Sequence, residues 1–152
     1  MKVVVTLTKE FFREHPKAGK PTYFAKSVKE GIKIHTCRDN YEYWAKKIEA
    51  LKAANGTLCI REWSGKPYRS PQDTIEEIPS ERVHVSTLTL TRLPGARYEA
   101  IVDGKEIDIR ALATNDGFSD VRDFTAFLNP VFKMHGENTV KLAIIHFNEF
   151  EY

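Results

Sequence analysis

Cysteine is scarce in this chain: Cys37 and Cys59 are the only two in 152 residues. That excludes a disulfide scaffold and a cysteine-only zinc site, and fits free thiols in a reducing compartment. Long apolar runs are missing too. The opening Val3-Val4-Val5-Thr6-Leu7 stretch is broken by Lys9-Glu10, too short for a secretory signal and far from a membrane span. A cytoplasmic protein with no membrane partner is expected. Charge of one sign is also lacking, for the net charge is only +2. A strongly polybasic nucleic-acid coat is thereby excluded, whereas a local basic groove is not, because such a groove depends on where charges cluster. No repeat or low-complexity tract occurs. The length fits one domain, residues 1–152, with a core that needs no cross-links.

What is present is a dense polar segment, Gly31-Ile32-Lys33-Ile34-His35-Thr36-Cys37-Arg38-Asp39. Read as a strand, its alternation groups Lys33, His35, Cys37 and Asp39 on one face and Ile34, Thr36 and Arg38 on the other. Neither face is simply apolar, which points to a site. Strands are expected at Lys2–Leu7, Lys33–Arg38, Thr57–Trp63, Val83–Thr91 and Lys141–Phe147. A hairpin is expected around Asp103-Gly104, joining 98–102 to 105–109. Helices are expected over Thr22–Glu30, closed by Gly31, and over Asn40–Ala53, with Asp39 as N-cap and Tyr41, Trp44, Ile48 and Leu51 along one side. A third follows Ser119, carries Val121, Phe124, Phe127 and Leu128, and ends near Pro130. Many strands with three short helices predict a mixed α+β, β-rich fold: a small curved β-barrel with peripheral helices.

The Lys33-Ile34-His35-Thr36-Cys37-Arg38-Asp39 motif resembles the signature of the ASCH family, a branch of the PUA-like superfold. Gly31, Lys33, Thr36, Arg38 and Asp39 carry the likeness. Leu112-Ala113-Thr114-Asn115-Asp116-Gly117-Phe118 looks like the family's second conserved region, and Ile144-Ile145-His146-Phe147 like its last barrel strand. The resemblance implies a β-barrel with a cleft and a link to RNA or modified nucleosides. It also reaches small amidohydrolases acting on acetylated cytidine, in which a lysine, a threonine and a glutamate are catalytic. By position these roles fall to Lys33, Thr36 and Asp116, with aspartate one methylene shorter than the family's glutamate. In that reading Thr36 attacks an amide carbonyl after Lys33, relayed through Asp116, removes its proton. Lys33 and Thr36 fall on opposite faces of an ideal strand, so both reach one substrate only across a bulge or a strand end.

A different set of residues suits binding. Trp63-Ser64-Gly65-Lys66-Pro67-Tyr68-Arg69 interleaves aromatic and basic groups, so Trp63 and Tyr68 can stack on a base while Lys33, Arg38, Lys66 and Arg69 meet phosphate. The leading expectation is RNA or modified-nucleoside binding in a cleft around Lys33, Arg38 and Asp116. Hydrolysis of an acylated pyrimidine nucleoside is the alternative, and a protein-binding adaptor using Trp63 and Tyr68 is a third. His35, Cys37, His84, His135 and His146 show no recognised ligand spacing, so no metal or cofactor is expected, and the histidines are read as isolated residues.

Overall fold

Val3, Val5 and Leu7 alternate inward along β1 (Lys2–Leu7), whose Lys2, Val4 and Thr6 side chains face outward. The computed structural model describes residues 1–152. After β1 come α1 (Phe24–Lys29), β2 (His35–Asp39), α2 (Tyr41–Ala53), β3 (Thr57–Trp63) and β4 (Gln72–Pro79). The chain continues through β5 (His84–Leu93), β6 (Arg97–Val102), β7 (Lys105–Ile107), α3 (Ile109–Asn115), α4 (Val121–His135) and β8 (Thr139–His146).

The strands form two open sheets, not a barrel. One has three strands in the order β1-β3-β4, and the other has five in the order β2-β8-β5-β6-β7. The expected closure fails because β1 pairs in parallel with β3, from Lys2 opposite Thr57 to Leu7 opposite Glu62, and with no other strand. The connection between them carries β2 into the second sheet. Each sheet keeps two edges, β1 and β4 in one and β2 and β7 in the other. Closure removes edges, so a sheet that retains them is not a barrel.

Four α-helices cover these sheets rather than three. α2 touches β1 of the smaller sheet and β5 and β8 of the larger. α4 lies on the opposite face of the larger sheet, seating the fully buried Phe124 and Phe132 against the core. Burial of that apolar face carries the helix through Pro130, which forgoes one backbone hydrogen bond, as far as His135. The helix expected to end near Pro130 is therefore longer, and its N-cap is Asp120 instead of Ser119: the Asp120 carboxylate accepts from Arg122 N at 2.8 Å. Asn40, not Asp39, caps α2, accepting from Tyr43 N at 3.3 Å.

The Asp103-Gly104 hairpin forms as expected, both residues having positive φ, 48° and 85°, the turn that matches strand twist. β4 and α3 were not foreseen. No helix is long and apolar enough to cross a membrane.

Candidate functional site

The polar segment divides between two environments. Ahead of β2, Lys33 N donates to Ser27 O at 3.1 Å and Ile34 N to Asn115 O at 2.9 Å. These bonds stitch the strand entrance to the ends of α1 and α3. The Lys33 side chain runs over Gly117, where a Cβ would stand 3.0 Å from Lys33 Cβ and 3.1 Å from Cγ and Cδ. Glycine leaves room for the lysine stem. Its ammonium donates to the Asp116 backbone carbonyl at 2.6 Å, lies 3.7 Å from the Asp116 carboxylate, and sits 4.5 Å from the centre of the Phe24 ring.

Lys33 and Asp116 are both buried. Burial pushes the Lys33 ammonium below its usual range, and the facing Asp116 charge opposes that shift. Burial pushes the neighbouring Cys37 thiol well up, with Asp116 acting in the same direction. Thr36, also buried, belongs to the opposite face of β2 from His35 and Cys37 and pairs with Ile145 across the ladder. The structure thus brings Lys33 and Asp116 together and turns Thr36 away from them.

His35 is not isolated. Its Nδ1 lies 2.9 Å from Asp116 Oδ1 and its Nε2 2.5 Å from the Tyr152 hydroxyl. Across the sheet His35 is in register with His146, and His146 with His84. The His84 and His146 rings stack at 4.0 Å and 4°, while Ser86 Oγ is 2.8 Å from His146 Nε2. Burial lowers the pKa of His146 to about 3, with His84 and then His35 adding to the shift. These neighbours come from β5, β8 and a segment beyond β8, so no short motif encoded them.

His35, Cys37 and Asp116 offer ligand atoms within 4.8 Å of one another. The Lys33 ammonium already faces that carboxylate, and His35 Nδ1 is engaged with it. A divalent cation entering there would meet the lysine's charge, so the donor set does not suit one without displacing Lys33.

Arg38, on the Thr36 face, opens elsewhere. Its Nη2 donates to Thr6 O at 2.7 Å, which fixes the guanidinium beside a groove of about 810 Å³. The groove lies outside the carboxyl ends of the parallel strands β1 and β3, the place where open α/β sheets generally receive ligands. Besides Arg38, its walls include Lys9, Phe12, Trp63, Lys66 and Tyr68. Trp63 and Tyr68 stand with ring centroids 5.0 Å apart and planes 48° apart.

Tyr68 is 88% exposed and has φ 63°, a conformation costly for a non-glycine residue. The 64–71 loop that presents it is ordered: Ser64 N donates to Pro71 O at 2.9 Å, Gly65 N to Ser70 Oγ at 3.0 Å, and Ser70 Oγ to Lys66 O at 2.8 Å. Four of the expected binding residues, Arg38, Trp63, Lys66 and Tyr68, therefore meet. Arg69 lies on the same loop outside the groove lining, and Lys33 lies beneath the surface with Asp116. Lys9 and Phe12 went unanticipated, because nothing in their local sequence marks the end of β1 as a wall of this groove.

No family model, curated protein or solved structure matches the chain. The ASCH likeness consequently rests on its motif residues alone, and the closed barrel that it implied is absent.

Proposed function

We propose that the groove between β1, β3 and the 64–71 loop binds single-stranded RNA, taking an unpaired base against Tyr68 and Trp63 and its phosphates against Arg38, Lys66 and Lys9. The observation that carries this reading is the tilted Trp63–Tyr68 pair, with Tyr68 held almost wholly in solvent beside a fixed guanidinium. An aromatic ring kept exposed in a strained backbone conformation gains nothing from the core, whereas stacking on a base contributes roughly 1–3 kcal/mol. The groove has room for more than a single ring, so a modified nucleoside within a strand is an equally good fit. Burial draws the Arg38 pKa down, yet leaves the group a cation at neutral pH.

The test is fluorescence anisotropy with a labelled short RNA, single-stranded and duplex, for the native chain and Tyr68→Ala. Stacking predicts a preference for the single strand and a loss of roughly five- to hundredfold on removing Tyr68. Equal affinity for both forms, unchanged in Tyr68→Ala, refutes it.

A further inference from the structure

The contacts around Tyr152 take one direction when the His35 ring is neutral. A carboxylate only accepts, so a neutral His35 keeps its proton on Nδ1, toward Asp116, and its lone pair on Nε2. The Tyr152 hydroxyl must then donate to Nε2, and its oxygen accepts from Asn115 Nδ2 at 3.0 Å. Asn115 holds the phenol, the phenol bonds His35, and His35 bonds Asp116, which Lys33 neutralises from behind. Burial raises the Tyr152 pKa, so the hydroxyl stays protonated in this role.

An apolar side chain would fill this volume with no buried polar group to satisfy. Here the hydroxyl is bonded by the buried His35 and the half-buried Asn115, with Lys33 and Asp116 buried on the far side of the imidazole. The occupant comes from a segment outside any helix or strand. That segment is anchored by Phe147 N to Ile34 O at 2.9 Å, while Phe150 is left 40% exposed.

We infer that His35 and Asn115 form a partly buried hydroxyl-binding site and that Tyr152 is its built-in occupant. When residues 148–152 move aside, a ligand presenting a phenolic or alcoholic hydroxyl takes the same place, donating to His35 Nε2 and accepting from Asn115 Nδ2. The site is separate from the groove and does not depend on what the groove binds.

The probe is p-cresol, the tyrosine side chain as a free molecule, with toluene as the control of equal shape. In Tyr152→Ala, p-cresol should raise the melting temperature and bind at least tenfold more tightly than toluene. Equal affinity for the two, or no binding of either, overturns the inference. Tyr152→Phe provides a second measurement should the alanine variant not fold. Cys37 shares the chamber, its sulfur lying within 4.8 Å of the His35 and Asp116 donor atoms, and Cys59 is buried on β3 of the other sheet. Loss of the hydroxyl should speed N-ethylmaleimide labelling of Cys37 at least fivefold and leave Cys59 unchanged. No change at Cys37, or a parallel rise at both thiols, overturns the inference as well.

Discussion

Acid should unfold this protein through His146. In the fold the ring is fully buried and stacked on His84, and its pKa falls from 6.5 to about 3. In the unfolded chain it takes a proton near 6.5. Between these values the unfolded state binds more protons, so each step down in pH favours unfolding. One pKa unit corresponds to about 1.4 kcal/mol, which makes the loss about 3 kcal/mol by pH 4.5 and at most about 5 kcal/mol by pH 3. Domains of this size are commonly stable by only about 5–15 kcal/mol.

The assay is urea denaturation at pH 7, 6, 5.2 and 4.5 on the native chain and on His146→Gln, which keeps a polar partner for Ser86 and cannot titrate. Glu42, Asp108, Asp120 and His84 also have lowered pKa values, so acid costs stability through them as well. They are common to both proteins and cancel in the difference. The native chain should lose about 3 kcal/mol more than the variant between pH 7 and 4.5. Parallel profiles would mean that the buried ring is protonated without cost, contrary to its burial against His84.

Other perturbations bear on the interior. Lys33→Met keeps the stem's volume but removes the charge facing Asp116, and should cost about 3 kcal/mol in urea denaturation at pH 7; unchanged stability would show that the pair is not coupled. Gly117→Ala places a Cβ against the Lys33 stem at φ +90° and should cost about 2–4 kcal/mol by the same assay, from backbone strain plus overpacking. Lys66→Ala should leave stability intact and make the salt dependence of RNA affinity shallower by about 0.7 in log–log slope, the share of one phosphate contact on a single strand.

Strand and helix identity was legible wherever burial follows a local period. Val3, Val5 and Leu7 mark β1, and Ile48 and Leu51 mark the buried side of α2. β4 escaped because Gln72-Asp73-Thr74-Ile75-Glu76-Glu77 lies on a mostly solvated sheet edge and carries few apolar residues. α3 escaped because Ile109–Asn115 follows directly on the hairpin and spans only seven residues. The barrel was misjudged for a different reason: which strands pair is decided over long sequence separations, and the direct β1–β3 pairing leaves no register signal in either strand.

Much the same divides the site. The Trp63–Tyr68 cluster was visible because its aromatic and basic residues lie within one short stretch, from the end of β3 into the loop that follows. The partnership of His35 with Asp116 and Tyr152 was not, since it joins residues separated by 81 and 117 positions. Lys33 was visible as a candidate, but its burial against Gly117 depends on α3 and could not be read from the motif.

Whether Trp63 and Tyr68 receive a base beside Arg38 is read by tryptophan fluorescence in a Trp44→Phe background, where Trp63 is the remaining indole, titrated with single-stranded oligonucleotide at several salt concentrations. Quenching should saturate and weaken in Tyr68→Ala, and the affinity should fall with salt at a log–log slope of about −2, as expected for three phosphate contacts by Lys9, Arg38 and Lys66. An indole signal that does not respond to the oligonucleotide, or a response that salt leaves untouched, would contradict base binding there.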